Sequence, residues 1–353
     1  MSCSAAERTK IDALLAAGQL LELGADFALC RFPGKEPALF HARPGARDEE
    51  MFVAKPWGNA EELHFYPFSE KTDVPKASGI AEVYFQMPMP ESTVFENYAT
   101  GFDVFQKAFA RKVLRKAVLS RVKLVEKAKD FDPLEFFRKA EEAHPDAFVT
   151  LIAHSRHGIW LGATPEVLLA SKGGTALTHS LAGTRSASVG KQHAWGEKER
   201  SEQSLVSAHV RSVLQKSGAD ILREIGPETV KAGSVAHLRT SFEFTPPADL
   251  DTFLQNLHPT PAIAGLPVAP AVDLIKATEK HDRGLYAGYL GTRTQYGASD
   301  ATFNLYVNLR CMRVGRDHLA LYLGGGLTEG SGLEAEWEET ENKALTLEKL
   351  LHG

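Results

Sequence analysis

Glu336, Glu339 and Lys343 stand at i, i+3 and i+7 of a stretch that reads as a helix, so they share one face. A flexible turn, Gly324-Gly325-Gly326 through Gly330 and Gly332, runs into that helix. The same face continues to Leu347 and Leu350, the expected buried stripe, which turns two carboxylates and a lysine inward. Glutamates that open a helix are usually solvated and favour its dipole. Here the shared face with leucines and the glycine turn in front favour an interior site. Buried charge is costly unless something compensates it. Carboxylate oxygens suit a hard divalent cation completed by a substrate anion, as magnesium often is.

Other residues add to this set. Glu202 lies four residues before Val206 and eight before Val210, so it points with the apolar face of a helix over 196–216. It would bring a third inward carboxylate from a distant element. Lys116 alternates with Val118, Ser120 and Val122 along a strand-like run. A lysine on an apolar face either snorkels out to water or, buried near other cations, becomes a candidate general base. Glu166, in Gly162-Ala163-Thr164-Pro165-Glu166, occupies a tight connection between two strands. Such a carboxylate is usually solvated, yet rigidly held turns are also where catalytic groups lie. A base lysine with an acid glutamate would suit exchange of one hydroxyl for another. Gly183-Thr184-Arg185 and the glycines at 324–326 offer backbone N–H groups suited to anions. Arg310 alternates with Asn308 and Tyr306 and would clamp a carboxylate bidentately. Glu279 and Arg283 read as an i,i+4 ion pair on a helix over 268–283.

The elements that must position these groups belong to an ordinary globular chain. Its 353 residues suffice for a large core, and 43% hydrophobic with 24% charged residues are typical proportions. The net charge of -5, without long like-charge runs, leaves no footprint for nucleic acid or an anionic membrane. The N-terminus shows no signal pattern, and no stretch approaches the ~20 apolar residues needed to span a bilayer. Cys3, Cys30 and Cys311 have no metal spacing and read as reduced thiols, so a cytoplasmic protein is expected. Residues 7–23 read as a helix, 27–90 as short strands broken by prolines, and Phe102, Phe105, Phe109 and Val113 as the buried side of another helix. Strand pairs follow at 148–153 with 159–163 and 167–171 with 176–181, then strands near 301–310 and 318–323 before the C-terminal helix. Strands in runs rather than in alternation with helices predict an α+β domain with antiparallel sheets. No linker stands out, so 1–353 is expected to be one domain, with 1–94 its variable part and 95–351 its core.

These motifs, in their order, resemble the chorismate-binding enzymes, the family of isochorismate, salicylate, anthranilate and aminodeoxychorismate synthases. The resemblance covers about 95–351. It rests on Lys116 to Arg121, Gly162 to Glu166, Leu181 to Arg185, Lys198 to Val206 and His237-Leu238-Arg239-Thr240. It continues through Leu257 to Ala262, Asp282 to Gly288, Arg310, and Glu336-Trp337-Glu338-Glu339 with Lys343. The fold it implies is two packed antiparallel sheets with flanking helices, like anthranilate synthase component I. It implies that Glu202 and Glu339 ligate magnesium with Glu336 in support, the metal holding the chorismate ring carboxylate. Arg310, Tyr286, Lys343, Gly183, Thr184, Gly324 and Gly326 match substrate contacts, Lys116 the base that activates water, and Glu166 the acid that protonates the departing hydroxyl. The chain departs from the usual pattern with Gln203 where histidine is common and with Leu323-Gly324-Gly325-Gly326-Leu327 in place of Ala-Gly-Ala-Gly-Ile.

The resemblance points to isochorismate synthase, feeding menaquinone or siderophore synthesis, with chorismate as the partner and a monomer or weak homodimer as the state. Aminating members resembling this chain lack the lysine at the position of Lys116, because ammonia needs no such base whereas water does. Salicylate synthases keep it. The loop Pro259-Thr260-Pro261-Ala262-Ile263 resembles that of isochorismate synthases, with Ala262 and Ile263 shaping the pocket over the ring. No Gly-x-Cys-x-Gly glutaminase nucleophile is present. An aminating enzyme, a salicylate synthase and an inactive chorismate-binding or partner-binding homologue remain the alternatives.

Overall fold

The computed structural model describes residues 5–42, 50–58, 60–68, 80–172, 174–186, 195–232, 235–246, 248–294 and 302–351. The chain begins with α1 (Ala5–Leu23) and four short strands, β1 (Phe27–Arg31), β2 (Ala38–His41), β3 (Glu50–Lys55) and β4 (Leu63–Pro67). Then come α2 (Phe95–Ala110), β5 (Lys116–Glu126), α3 (Pro133–Ala143) and the meander β6 (Phe148–His154), β7 (Gly158–Thr164), β8 (Val167–Lys172), β9 (Thr175–Ser186). After α4 (Glu197–Lys216) follow β10 (Ile221–Ala232), β11 (Val235–Phe244), α5 (Leu250–Leu257), β12 (Gly265–Leu266) and α6 (Val268–Thr278). The chain closes with β13 (Tyr289–Thr294), β14 (Phe303–Val307), β15 (Cys311–Val314), β16 (His318–Leu327) and α7 (Leu333–Leu351).

The strands pair in one order, β10-β11-β9-β8-β14-β13-β3-β4-β2-β1-β6-β7-β15-β16-β5-β12. Every pairing is antiparallel, as runs of strands without crossover helices require. The joint is β4, whose Phe65 pairs with Phe52 of β3 while Tyr66 pairs with His41 of β2. On either side of it lie two sheets, whose inner faces share one core: Phe148, Ile152, Trp160 and Tyr322 from one, Phe52, Leu169, Leu305 and Val307 from the other. A second core lies between the outer face of β6, β7 and β16 and the helices α1, α3 and α7, and a third joins α2, α6 and β5. The expected α+β fold of two packed antiparallel sheets with flanking helices is the fold observed.

Local chemistry sets several boundaries. Asp132 caps α3 by accepting from Leu134 N–H at 2.9 Å, with Pro133 at the first helical position. Helix α4 runs from acidic Glu197 and Glu199 to Lys216, as the dipole favours, and stops at Ser217 before Gly218 at φ +72°. Gly265, at φ +142°, lets β12 lie against β5: a Cβ there would fall within 3.0 Å of Lys116 O and Ala117 Cα.

Three expectations are corrected. The helix over 268–283 ends at Thr278, because Glu279 turns extended (ψ 132°). Val113 lies past the end of α2 and is 50% exposed, since the helix stops at Ala110. On α7 the fully buried stripe is Glu336, Thr340, Ala344 and Leu347. Glu339 and Lys343 flank it half-exposed, because the helix meets the sheet one residue further round than the leucines indicate. Cys30 and Cys311 are buried free thiols, and Cys3 lies outside the described residues.

Candidate active site

Lys116 opens β5, 5% exposed, between β12 on one side and β16 on the other. Its ammonium donates to Glu202 Oε1 of α4 at 2.6 Å. Beside this pair runs the glycine segment of β16. A Cβ on Gly326 would lie 3.5 Å from Lys116 Cε and 3.9 Å from Glu202 Oε1, so the absent side chain leaves open space against both. Two residues back, Gly324 O accepts from Lys343 Nζ at 2.8 Å, and the same ammonium donates to Glu339 Oε1 at 2.7 Å. Each carboxylate expected to bind metal is thus paired with a lysine expected to serve the reaction. The carbonyl of Gly324 lies beside the second pair, and the bare face of Gly326 beside the first.

Glu166 sits between β7 and β8. Its N–H donates to Thr164 Oγ1 at 3.3 Å, its carbonyl accepts from Val307 N–H at 2.9 Å, and Thr164 Oγ1 donates to Val307 O at 2.6 Å. The backbone is therefore held by β14, although Pro165 is exposed and Glu166 only half-buried. Burial pushes the Glu166 carboxyl up to about 7, against the pull of Lys116, Arg310 and Lys343. Those three cations all act on one carboxyl. Lys116, from β5, and Lys343, from α7, thereby fall in one site with Glu166.

Arg310 is not on a strand: β14 ends at Val307, and Arg310 adopts φ +49° in the turn before β15. Alternation with Tyr306 therefore did not aim it. Its carbonyl accepts from Ala163 N–H at 3.2 Å, which holds it beside the Glu166 turn. Burial holds its pKa below the ordinary value, against the opposing pull of Glu166. His237 of β11, part of the His237-Leu238-Arg239-Thr240 motif, also faces this site. Its Nδ1–H donates to Gly183 O at 3.1 Å, and burial, with Arg310 and Lys343 nearby, holds its pKa below the ordinary value. It joins the site as a neutral imidazole. Of Thr184 only the backbone is described, paired with His237. Tyr286 is 4% exposed, stacks on Tyr322 at 5.7 Å, and fills the space a side chain at 324 would take. Ala262 is half-buried, whereas Ile263 is a core residue at 3% exposure, in the cluster that includes Tyr286.

Glu336 is the residue the structure separates from the rest. A Cβ on Gly325 would approach Glu336 Oε2 at 3.2 Å, and successive strand residues face opposite ways. Glu336 therefore lies behind β16, away from Lys116 and Glu202, and accepts from Ser331 Oγ at 2.6 Å. Among the described residues, no three His, Cys, Asp or Glu side chains are gathered as a ready metal cluster. The donor chemistry nevertheless fits a hard cation: Glu202 and Glu339 present oxygens only, and the missing side chain of Gly326 leaves room beside Glu202.

An acid carboxyl carrying its proton near neutrality, a buried lysine, and Arg310 and Lys343 make an acid–base site for a small substrate bearing carboxylates. Residues 63–352 match the family model described as chorismate binding enzyme, and the chain belongs to that family. It is 32% identical over 249 residues to the chloroplastic isochorismate synthase of Catharanthus roseus, a stretch covering 67% of this chain and 42% of that one. It is 24% identical over 339 residues to an isochorismate synthase of Escherichia coli (strain K12), covering 92% of this chain and 84% of the relative. The chain thus spans less than half the length of the plant relative. Its fold is that of the solved menaquinone-specific isochorismate synthase of Escherichia coli: TM-score 0.80 at 20% identity, covering 100% of this chain and 92% of the other. No helix among the described residues is long and apolar enough to cross a membrane.

Proposed function

We propose that this chain is an isochorismate synthase, which adds water at C2 of chorismate and expels the C4 hydroxyl, reversibly and without a redox cofactor. The observation that carries this is Glu166: a carboxyl raised to about 7 beside a buried lysine keeps a proton to give at the pH where the leaving hydroxyl needs one. Lys116 acts in its neutral amine form, taking the proton from the attacking water and returning to the ammonium that pairs with Glu202. Arg310 and Lys343 bring positive charge to the substrate carboxylates, and Tyr286 and Ala262 shape the wall against the ring. Magnesium, held by Glu202 and Glu339, would neutralise and orient the substrate carboxylate when bound. The curated relatives' names support the reading, and they include both a vibriobactin-specific enzyme and, among solved structures, a menaquinone-specific one.

The test is product analysis of chorismate incubated with the purified chain and magnesium, with and without ammonium. Isochorismate alone, unaffected by ammonium, is the expected result. Anthranilate or aminodeoxychorismate would make the chain an aminating enzyme, and salicylate with pyruvate a salicylate synthase. Chorismate binding without turnover would make it an inactive homologue.

A further inference from the structure

The outer edge of β5 loses its partner strand early. Strand β12 pairs only with Lys116 and Ala117, and Val118 N–H donates to Ala264 O at 2.8 Å. The next outward groups are Val118 C=O and Ser120 N–H. Arg283 Nη2 donates to Val118 O at 3.0 Å, and Ser120 N–H donates to Glu279 Oε1 at 2.7 Å. Two side chains continue the ladder where the strand stops.

The same guanidinium reaches further. Its Nη1 donates to Ile263 O at 3.1 Å, while Nε and Nη2 grip Glu279 at 2.8 and 2.7 Å. It lies 4.4 Å over the Trp57 ring, and Arg283 O accepts from Tyr286 N–H at 2.8 Å. Arg283 is 2% exposed, so every one of these bonds is made out of water. Burial costs the pair, yet mutual attraction lowers the Glu279 pKa and raises that of Arg283, so both stay charged. Only a planar fork with several fixed donors makes these bonds together.

We propose that Arg283, held by Glu279, is a positioning residue of the chorismate site. It fixes the spacing between the strand that carries Lys116, the loop that carries Ala262 and Ile263, and the turn that carries Tyr286. The roles of those three elements rest on the function proposed above, so substrate affinity, which any chorismate-binding chain must show, is read as well as turnover.

The decisive variant is the double replacement E279M/R283M. A buried ion pair exchanged for apolar side chains of similar size often leaves stability intact, whereas the bonds to Val118, Ser120 and Ile263 vanish. The expected result is a folded protein whose Tm falls because Val118 O, Ser120 N–H and Ile263 O lose their partners, with chorismate affinity weakened severalfold by calorimetry and kcat lowered by ~10², the effect of roughly 1 Å of misplacement. R283K, which keeps the charge but not the fork, should lose in the same direction and decides the matter if the double variant does not fold. Parental affinity and kcat in either folded variant overturn the proposal. Failure of both to fold also overturns it and makes the pair a stability element. If the parent binds chorismate without forming isochorismate, the functional reading fails, and the affinity comparison still decides this one.

Discussion

Alanine at Gly324 tests the packing of the site most sharply. Its Cβ would fall within 3.0 Å of Tyr286 Oη, 3.3 Å from Val118 Cγ1 and 3.5 Å from Ser120 Cβ. Tyr286 cannot swing aside, since it is 4% exposed and stacked on Tyr322. Either its ring or β16 must shift by about 1 Å, which costs ~10² in rate when it moves groups around the reacting atoms. Overpacking of this kind destabilises by about 1–3 kcal/mol. Alanine at Gly326 is the matched control for space. Its Cβ makes only ordinary contacts, 3.5 Å from Lys116 Cε, so the fold should hold while KM rises as the gap beside the ion pair fills. Initial rates against chorismate concentration, with thermal melts on the same preparations, separate the two effects. Gly324→Ala with unchanged kcat/KM and Tm would refute the packing argument.

Lys116→Ala and Glu166→Gln should each lower kcat by ~10² or more, the scale of general acid–base catalysis, and near-normal turnover would remove that residue from the chemistry. Glu166 must carry its proton to act as acid, and its value is about 7, so kcat/KM should fall roughly tenfold per pH unit above that point, and a level profile to pH 9 would contradict it. The raised value also means that the folded state holds this proton more tightly than the unfolded one. Stability should therefore decline as pH rises from the ordinary carboxyl range toward 7, and Glu166→Gln melts should lack that component. Chelator should end turnover, and Glu339→Ala should raise the magnesium requirement, measured by titrating magnesium back; full rate in EDTA would remove the metal.

Much of the architecture was legible because its signals are local. Period-2 runs mark β6 to β9, and the helix expected over 196–216 is α4 to within a residue. Strand β10 escaped notice because it is an edge strand carrying Arg223, Glu224 and Glu228 on exposed positions, so no apolar alternation announces it. Of the site, Lys116 and Glu202 were readable from apolar faces, and they meet at 2.6 Å. The direction of Glu336 was not, because facing around a helix follows from which strand the helix packs on. Arg310 reaches the site from a left-handed turn, not from the strand that its alternation with Asn308 and Tyr306 predicts. The Glu279–Arg283 spacing reads as an i,i+4 ion pair on a helix. Sequence spacing gave its existence, but its burial depends on β5 and the 260–264 loop arriving from elsewhere.

The central claim is that water attacks C2 while the hydroxyl departs from C4. Single-turnover conversion of chorismate in ¹⁸O-labelled water, with the label located by NMR, tests it directly. The account predicts isochorismate carrying the heavy oxygen at C2. Unlabelled isochorismate, in which the original hydroxyl had migrated, would contradict it, as would an aminated product.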